Sequence, residues 1–169
     1  EISSGAFAGE PSVLSRLSTN TTTYASNAAN SSESLLSGVT TINIPSTVTN
    51  ISADAFSGME NLTTVNFGSN SQLQTIGASA FADCVNLTTI NLPSGITEIP
   101  FGAFENCKNL ASLTIPSSVT KIGAQAFSGA EKLAFTSLPA SVTEIGEFAF
   151  FGCKGSSTIT LPSGVTSIG

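Results

Sequence analysis

The chain has 169 residues, of which 40% are apolar and only 9% are charged, and its formal net charge is −6. With only five Lys and Arg residues it lacks a cluster of positive charge, which argues against nucleic acid or an anionic membrane surface as its partner. It has no run of about 18 apolar residues that would cross a membrane and no basic-then-apolar leader, so no membrane insertion is expected.

Residues 1–9 carry the start of a repeated pattern, and residues 10–37, which are rich in Ser, Thr, Asn and Ala, carry no clean repeat. From Ile2 to Ile51 is 49 residues, which is two periods of 23 plus three. A degenerate turn with a short insertion therefore fits this gap. Because so polar a composition is also compatible with a disordered loop, both alternatives remain open.

A recurring phenylalanine sets the period of the remaining chain. Phe81, Phe104 and Phe127 follow one another at intervals of 23 residues, and Phe56 precedes Phe81 by 25. A fixed period in this range is typical of solenoids, in which each turn is one supersecondary unit stacked on its neighbours. We therefore expect one repeat solenoid over residues 1–169, with about seven turns.

Each turn from residue 39 onward begins with a predicted strand of the form L-x-x-I-x-I. Its last two apolar positions are separated by one polar residue, which is the period-2 pattern of a half-buried strand. In most turns a proline follows and ends the pairing, because it has no N–H to donate to a ladder. The predicted strands are Val39–Ile44, Leu62–Phe67, Leu87–Leu92, Leu110–Ile115, Leu133–Leu138 and Ser156–Leu161.

The rest of each turn has two parts. A V-x-x-I segment is expected to be a short extended stretch on the opposite wall. Glycine follows it at Gly77, Gly123, Gly146 and Gly169, where a tight backbone turn is easiest for a residue without Cβ. The turn closes with A-F-x-x-C, which we predict to be a single helical turn whose Phe fills the interior.

The three cysteines share one phase of the repeat. Cys84, Cys107 and Cys153 end the A-F-x-x-C segment, and Met59 and Ala130 take that place in other turns. A position shared by Cys, Met and Ala is typical of a buried apolar site. A disulfide between Cys84 and Cys107 in adjacent turns is the alternative, and it requires compatible Cβ geometry.

Two turns depart from the pattern. Between Phe67 and Leu73 the loop GSNSQ adds two residues, which accounts for the single spacing of 25. In Leu133–Leu138 the polar Thr136 has the inward phase and Phe135 the outward one. Either Phe135 projects outward or the strand is locally bulged.

The repeat L-x-x-I-x-I-P-x-x-V-x-x-I-G-x-x-A-F-x-x-C-x-x-L, read from Leu87 to Leu110 with Pro100 in place of Gly, resembles the BspA-like class of leucine-rich repeats. The match covers Val39–Gly169 and extends to residues 1–9. The resemblance implies a right-handed solenoid with a parallel concave β-sheet, on secreted or cell-surface proteins of gut and oral bacteria and of some parasitic protists. It also implies an adhesin-like role toward host matrix proteins or other microbes, and it transfers no catalytic residues.

The residue types present exclude most kinds of catalytic, metal-binding and nucleotide-binding site. Without His, the chain has no Ser-His-Asp or Cys-His nucleophilic site and no His-dependent metal site. Glycine-rich nucleotide-binding loops are also absent. Glu98, Lys121 and Glu144 share one phase with alternating sign, and we expect exposed pairs between turns rather than an acid–base pair. No catalytic residue, metal or cofactor is predicted, and the protein is not expected to be an enzyme.

Polar residues at the outward strand positions form the candidate binding surface. Strands in register about 4.7–4.9 Å apart would stack them into two columns of hydroxyls and amides. Such residues keep an exposed sheet soluble; the functional alternative is a flat recognition surface with Phe135 as its apolar anchor. The predicted partner-binding residues are Thr64, Asn66, Thr89, Asn91, Ser112, Thr114, Phe135, Ser137, Thr158 and Thr160.

The sequence favours a non-enzymatic, extracellular or cell-surface binding module that recognises a host or microbial surface protein or glycan through its concave Thr/Asn-rich sheet. The alternative is a structural spacer or stalk that displays another domain. The array begins and ends in the same phase without a polar capping turn, so we expect this sequence to be a slice of a longer protein.

Overall fold

The computed structural model describes residues 38–135 and 137–169. They coil into a parallel β-solenoid of about six turns of about 23 residues, which confirms the fold predicted from the repeat. The predictions for residues 1–37, namely the degenerate turn or insertion and the rest of the seven expected turns, lie outside the described residues. The strands are β1 (Thr41–Ile44), β2 (Asn50–Ile51), β3 (Thr64–Phe67), β4 (Thr75–Ile76), β5 (Thr89–Asn91), β6 (Glu98–Ile99), β7 (Ser112–Thr114), β8 (Lys121–Ile122), β9 (Glu144–Ile145) and β10 (Ser167–Ile168).

The L-x-x-I-x-I segments of four successive turns form a parallel sheet with the order β1-β3-β5-β7, here called the front sheet. Their apolar and polar residues alternate between the interior and solvent, as expected for a strand with one buried face. In β1, Ile42 and Ile44 are buried, whereas the two polar residues of the strand are exposed. The loop of two extra residues after β3 leaves the stacking intact, since Ile51 and Ile76 on either side of it are paired.

The last two predicted front strands are not formed. Leu133–Leu138 and Ser156–Leu161 contribute to pairing, within the described residues, only through an isolated parallel bridge between Ser137 and Thr160. The front sheet therefore ends at β7.

The V-x-x-I segments form the opposite wall, as predicted, with strands of two residues each. One sheet pairs β2 with β4, and the other has the order β10-β9-β8-β6. Register places Glu98 beside Lys121 and Lys121 beside Glu144, which confirms the expected stack of alternating charge. Lys121 Nζ lies 3.5 Å from Glu98 Oε1, and both side chains are half exposed. A pair this exposed contributes at most about 1 kcal/mol.

The A-F-x-x-C segments do not form the predicted helical turns, and the described part of the chain contains no helix. Instead, the residue directly before each segment and the fourth residue of the segment have positive φ, as do Ser79 at 53° and Asp83 at 59°. Left-handed residues interrupt the series of helical dihedral angles, so a helical ladder cannot propagate. The N–H groups of Ser79 and Phe81 donate to the carbonyls of Phe101 and Ala103 in the next turn, at 2.9 and 3.0 Å. The segment therefore joins adjacent turns.

The repeated phenylalanines form a continuous stack inside the solenoid. The ring centroids of Phe81 and Phe104 are 5.6 Å apart with an interplanar angle of 2°, and those of Phe104 and Phe127 are 5.7 Å apart at 5°. All three side chains are fully buried. Ring pairs at this separation contribute about 0.5–1.5 kcal/mol beyond their area burial. Each ring therefore stabilises the contact between its own turn and both neighbours.

Glycine recurs after the back strands because adjacent turns approach closely there. Gly77, Gly123 and Gly146 are not among the glycines with positive φ, so the turn conformation expected from the sequence is not their reason. A Cβ added to Gly123 would lie 2.7 Å from both Phe101 N and Pro100 C in the preceding turn. Main-chain atoms at this distance cannot move aside without separating the turns.

Replacing Gly123 with Ala is therefore expected to lower the free energy of unfolding by about 1–3 kcal/mol, as overpacking does in other cores. Urea denaturation followed by circular dichroism measures this change. Gly164→Ala is the control, because the added Cβ would meet its nearest atom, Ala140 O, at an ordinary 3.6 Å. Equal stability of the two variants would contradict the close-approach explanation.

Removing one ring from the stack tests its contribution to stability. Phe104→Ala is expected to cost about 3–5 kcal/mol, because a fully buried ring leaves a cavity between two others. Phe101→Ala removes the same atoms from a side chain that is 49% exposed and outside the stack, and it should change stability by about 0.5 kcal/mol or less. The comparison uses the same denaturation measurement; similar losses in both variants would be evidence against the stack.

Candidate functional site

The outward residues of the front sheet form two columns of uncharged hydrogen-bonding side chains, as predicted from the strand pattern. Strand pairing in register brings equivalent residues of successive turns side by side. Most of these side chains are exposed, while Thr64 and Thr89 are half-buried. The first column is Thr41, Thr64, Thr89 and Ser112, and the second contains the in-register pairs Asn43 with Asn66 and Asn91 with Thr114.

Part of the hydrogen-bonding capacity of the second column is used between turns. Asn66 Nδ2 donates to Asn43 Oδ1 at 2.9 Å, and Thr114 Oγ1 donates to Asn91 Oδ1 at 3.1 Å. Such cross-strand pairs stabilise the register of adjacent strands. An Asn amide has two donor hydrogens and an acceptor oxygen with two lone pairs, so one bond leaves groups available to a partner. The column thus has a structural role and a remaining capacity for recognition.

Ser137, Thr158 and Thr160 continue the predicted surface beyond the front sheet, although they lie outside its strands. All three are exposed. Ser137 forms a bridge with Thr160, and it lines a cavity together with Thr114. The second column therefore extends past β7 without regular strand pairing.

Phe135 does not project from this surface, and its prediction as an exposed anchor is wrong. The side chain is 7% exposed and packs edge-on against Phe127 at 5.6 Å and Phe150 at 5.9 Å. The physical reason lies in the next residue, since Thr136 has the phase in which the other strands bury an aliphatic side chain. A buried hydroxyl without a partner costs about 1–3 kcal/mol, whereas a buried ring stabilises the core. Phe135 therefore fills the interior, and the strand is interrupted.

Beside β7 the front wall has a notch, which was not predicted from the sequence. The notch is a cavity of about 350 Å³. Its floor is apolar and nearly buried, its rim carries hydroxyls, and none of its lining residues is charged. The signal that could have located it is the Phe-Thr order at 135 and 136, which inverts the polar-apolar order of every other front strand. Its lining includes Leu113, Thr114, Ile115, Phe135, Ser137 and Leu138.

The cysteines are free and occupy the predicted apolar site. Cys84 and Cys107 are buried, and their thiols donate to the carbonyls of Phe56 and Phe81, both at 3.1 Å. Burial raises the pKa of the Cys84 thiol to about 12 and that of the half-buried Cys153 to about 11, and it raises the pKa of Cys107 well above its ordinary value. The thiolate is the reactive form, so these neutral thiols are core groups rather than nucleophiles.

Residues 38–135 and 137–169 contain no group of three or more His, Cys, Asp or Glu side chains placed to hold a metal ion. In the same part of the chain, no helix has the length and apolar character that crossing a membrane requires. The polar columns and the notch are therefore the surfaces of interest in the described structure.

The repeat is similar to those of known leucine-rich repeat proteins. A family model described as a BspA type leucine rich repeat region, in six copies, matches residues 36–154 and 125–169. The crystal structure of a leucine-rich repeat protein from T. pallidum is similar, with 36% identity and a TM-score of 0.70, and the alignment covers 75% of this chain and 61% of that one. No curated protein matches the chain.

Two further solved structures are similar over a smaller share of their own length. A leucine-rich repeat protein from Bacteroides ovatus has 31% identity and a TM-score of 0.67, over 77% of this chain and 33% of that one. A protein from Faecalibacterium prausnitzii described as a leucine rich cell surface protein has 35% identity and a TM-score of 0.53, over 72% of this chain and 38% of that one. The chain thus spans less than two thirds of the length of each of these relatives.

The buried thiols predict a pH dependence of stability. In the unfolded chain Cys84 titrates near 9.0, whereas in the folded protein its pKa is about 12. The folded state keeps a proton that the unfolded state loses, so this contribution is complete below pH 9 and is lost as pH rises toward 12. Relative to Cys84→Ala, the wild type is expected to lose up to about 1.4 kcal/mol of stability per pH unit above 9.

Urea denaturation between pH 7 and 10.5 measures this difference. Met59→Ala is the matched control, because Met59 occupies the same phase and has no ionisable group. Its stability difference from the wild type should not vary with pH. Parallel pH profiles for the wild type and Cys84→Ala would refute the linkage.

Proposed function

The chain belongs to the family of BspA-type leucine-rich repeat proteins, and we propose that it is a non-enzymatic, adhesin-like binding module on the cell surface or outside the cell. In this proposal its front sheet, on the concave side expected for the family, recognises a host or microbial surface protein or glycan. The observation that carries the proposal is the pair of in-register columns of hydroxyl and amide side chains on that sheet. The description of one similar protein as a cell surface protein supports the location.

The chemistry of the columns favours an uncharged, extended partner. Their members are Thr, Ser and Asn, with no ionisable side chain among them. The charged pairs lie elsewhere, such as Glu98 with Lys121 on the back wall. A peptide main chain or a glycan offers repeated donors and acceptors without charge. Such a partner can bond to the columns without removing an unpaired ion from water, which is costly.

The small free energy of a single neutral hydrogen bond means that recognition must span several turns. A neutral hydrogen bond contributes about 0.5–1.5 kcal/mol net, whereas a micromolar complex requires about 8 kcal/mol. Association itself costs at least about 4 kcal/mol more. A partner held by the columns must therefore make on the order of ten contacts. A ligand confined to one turn could not make them, since each turn contributes two outward side chains to the columns.

A spacer or stalk role is the second candidate, and the hydrogen bonds within the second column favour it. Asn66 with Asn43, and Thr114 with Asn91, show that these side chains already stabilise stacking. A spacer needs no partner of its own. It requires only that the solenoid remain rigid and long enough to display a neighbouring domain.

Placing a charge in the first column tests the binding proposal. Thr89→Lys should weaken binding to the partner by about tenfold or more, because an ammonium in the centre of a neutral interface loses hydration without gaining an ion pair; tenfold is about 1.4 kcal/mol. Thr97→Lys is the control, since it adds the same charge at an exposed position beside β6 on the opposite wall. Biolayer interferometry against extracellular-matrix proteins and a glycan array provides the measurement, with circular dichroism to check folding.

The outcome separates the two candidates. Full binding by Thr89→Lys would exclude the front sheet as the recognition surface. Absence of binding by the wild type, together with loss of display when the 23-residue turn 87–109 is deleted, would favour the spacer.

A further inference from the structure

We propose that Asn70 is a site of spontaneous modification, at which the side-chain amide is converted to aspartate and isoaspartate through a cyclic imide. Asn70 lies in the loop GSNSQ after β3, which is two residues longer than the corresponding part of the other turns. It is not among the predicted partner-binding residues, so the site is independent of the proposed function. Its exposure, the free main-chain N–H that follows it and the small residue at position 71 distinguish it from the other asparagines of the described chain.

The reaction uses only groups of the chain and water. The main-chain nitrogen of Ser71, once it has lost its proton, attacks Cγ of Asn70 and forms a new carbon–nitrogen bond. The bond from Cγ to the side-chain nitrogen breaks, and this nitrogen leaves as ammonia with the proton that the main chain gave up. The resulting five-membered imide then takes up one water molecule. Opening at one carbonyl gives aspartate, and opening at the other gives isoaspartate, in which the main chain runs through Cβ and Cγ.

The tip of the loop leaves both reacting groups accessible. The N–H of Gln72 donates to the carbonyl of Ser46 at 2.8 Å and fixes the end of the loop to the preceding turn. Asn70 itself is exposed and has a φ of 58°, a left-handed conformation that Asn tolerates. Within the part of the chain that the structure describes, neither the Asn70 side chain nor the Ser71 N–H makes a hydrogen bond. The two groups can therefore approach each other without breaking a bond.

The other asparagines of the described ranges are restrained by the stacked turns. The N–H groups of Leu62, Leu87 and Leu110, each of which follows an asparagine, donate to the carbonyl three residues earlier, all at 3.0 Å. An attack by one of these nitrogens requires the turn to open locally first, which costs free energy. Side-chain hydrogen bonds to a neighbouring turn restrain seven asparagines: Asn43, Asn50, Asn66, Asn86, Asn91, Asn106 and Asn109.

The residue after Asn70 is also small enough to let the ring close. A large side chain at this position crowds the main-chain nitrogen as it approaches Cγ, whereas the side chain of Ser71 is a single hydroxymethyl group. Each of the other described asparagines precedes an apolar residue that packs in or against the core: Ile44, Ile51, Leu62, Phe67, Leu87, Leu92, Cys107 and Leu110. The repeat pattern therefore protects its asparagines, and the irregular loop lacks this protection.

The product changes the loop without interrupting the stack. Either acid adds one negative charge at an exposed position, and isoaspartate adds one methylene group to the main chain. Hydrogen bonds on both sides of Asn70 hold the loop, from Gly68 N–H to the carbonyl of Ile44 at 2.9 Å and from Gln72 N–H to that of Ser46. The modified protein should therefore keep its fold and elute from an anion exchanger as a more acidic species.

Peptide mapping of the folded 169-residue chain after incubation in neutral buffer at physiological temperature tests the proposal. Cleavage after Glu60 and Glu98 releases residues 61–98, which contain Asn70 and four other asparagines as internal controls. Conversion of Asn70 should be faster than that of any of the four by about tenfold or more, a difference of about 1.4 kcal/mol in activation free energy. Mass spectrometry with electron-transfer fragmentation distinguishes the two acids, and both should be found at residue 70.

Two variants identify the attacking group. Ser71→Leu crowds the main-chain nitrogen and should slow the conversion of Asn70 by about tenfold. Gln72→Leu is the matched control, because it places the same side chain at the next residue, which is exposed, and it should leave the rate unchanged. Circular dichroism checks that both variants are folded. Unfolding the wild type in guanidinium should narrow the difference between Asn70 and Asn86, since the bonds of Asn86 and Leu87 are then lost.

The proposal is overturned if Asn70 converts no faster than Asn66 and Asn86 in the folded protein, or if folded Ser71→Leu converts at the wild-type rate. Formation of aspartate without isoaspartate would also overturn it, because direct hydrolysis of the side chain, without the ring, would then account for the product. An equal difference in rate before and after unfolding would contradict protection by the stacked turns.

Discussion

The structure depends on stacking in register, because the strands of the described turns pair with strands of neighbouring turns. A strand such as β8, with two residues, has hydrogen-bond partners only in the turns on either side. Phe104 is buried because Phe81 and Phe127 cover its two faces. The repeat of 23 residues therefore preserves the register between turns. A residue type is permitted at a position when it keeps the spacing between adjacent turns unchanged.

This constraint accounts for positions that otherwise look unrelated. Gly123 has no Cβ because the main chain of the preceding turn occupies that space. The last residue of A-F-x-x-C can be Cys, Met or Ala, because the site requires only a small or flexible apolar group. Where a thiol is present, as in Cys107, it also donates to the carbonyl of Phe81 in the turn before. Both features serve contact between turns, and neither indicates chemistry.

The same constraint explains which features could be predicted from the sequence. The alternation of buried and outward residues recurs in the four front strands, and the pairing of Glu98 with Lys121 follows directly from their shared phase in the repeat. The prediction of a helical turn at A-F-x-x-C was wrong because Ser79, Gln125 and Phe148 have positive φ. These residue types do not indicate that conformation in the sequence. Hydrogen bonds to the next turn offset the cost of about 1–2 kcal/mol for each left-handed residue. Such compensation is visible only once the turns are stacked.

Phe135 shows where periodicity stops being informative and where specificity can arise. The strand pattern assigns the interior position to residue 136, whereas it is the ring of Phe135 that is buried, against Phe127 and Phe150. The polar columns then lose their regular strand at that turn, while the interior stays filled. A column of similar hydroxyl or amide side chains offers successive registers of an extended partner similar hydrogen bonds, so it gives little basis for selecting one register. The front wall is interrupted at that turn, so its surface is no longer the same from one turn to the next.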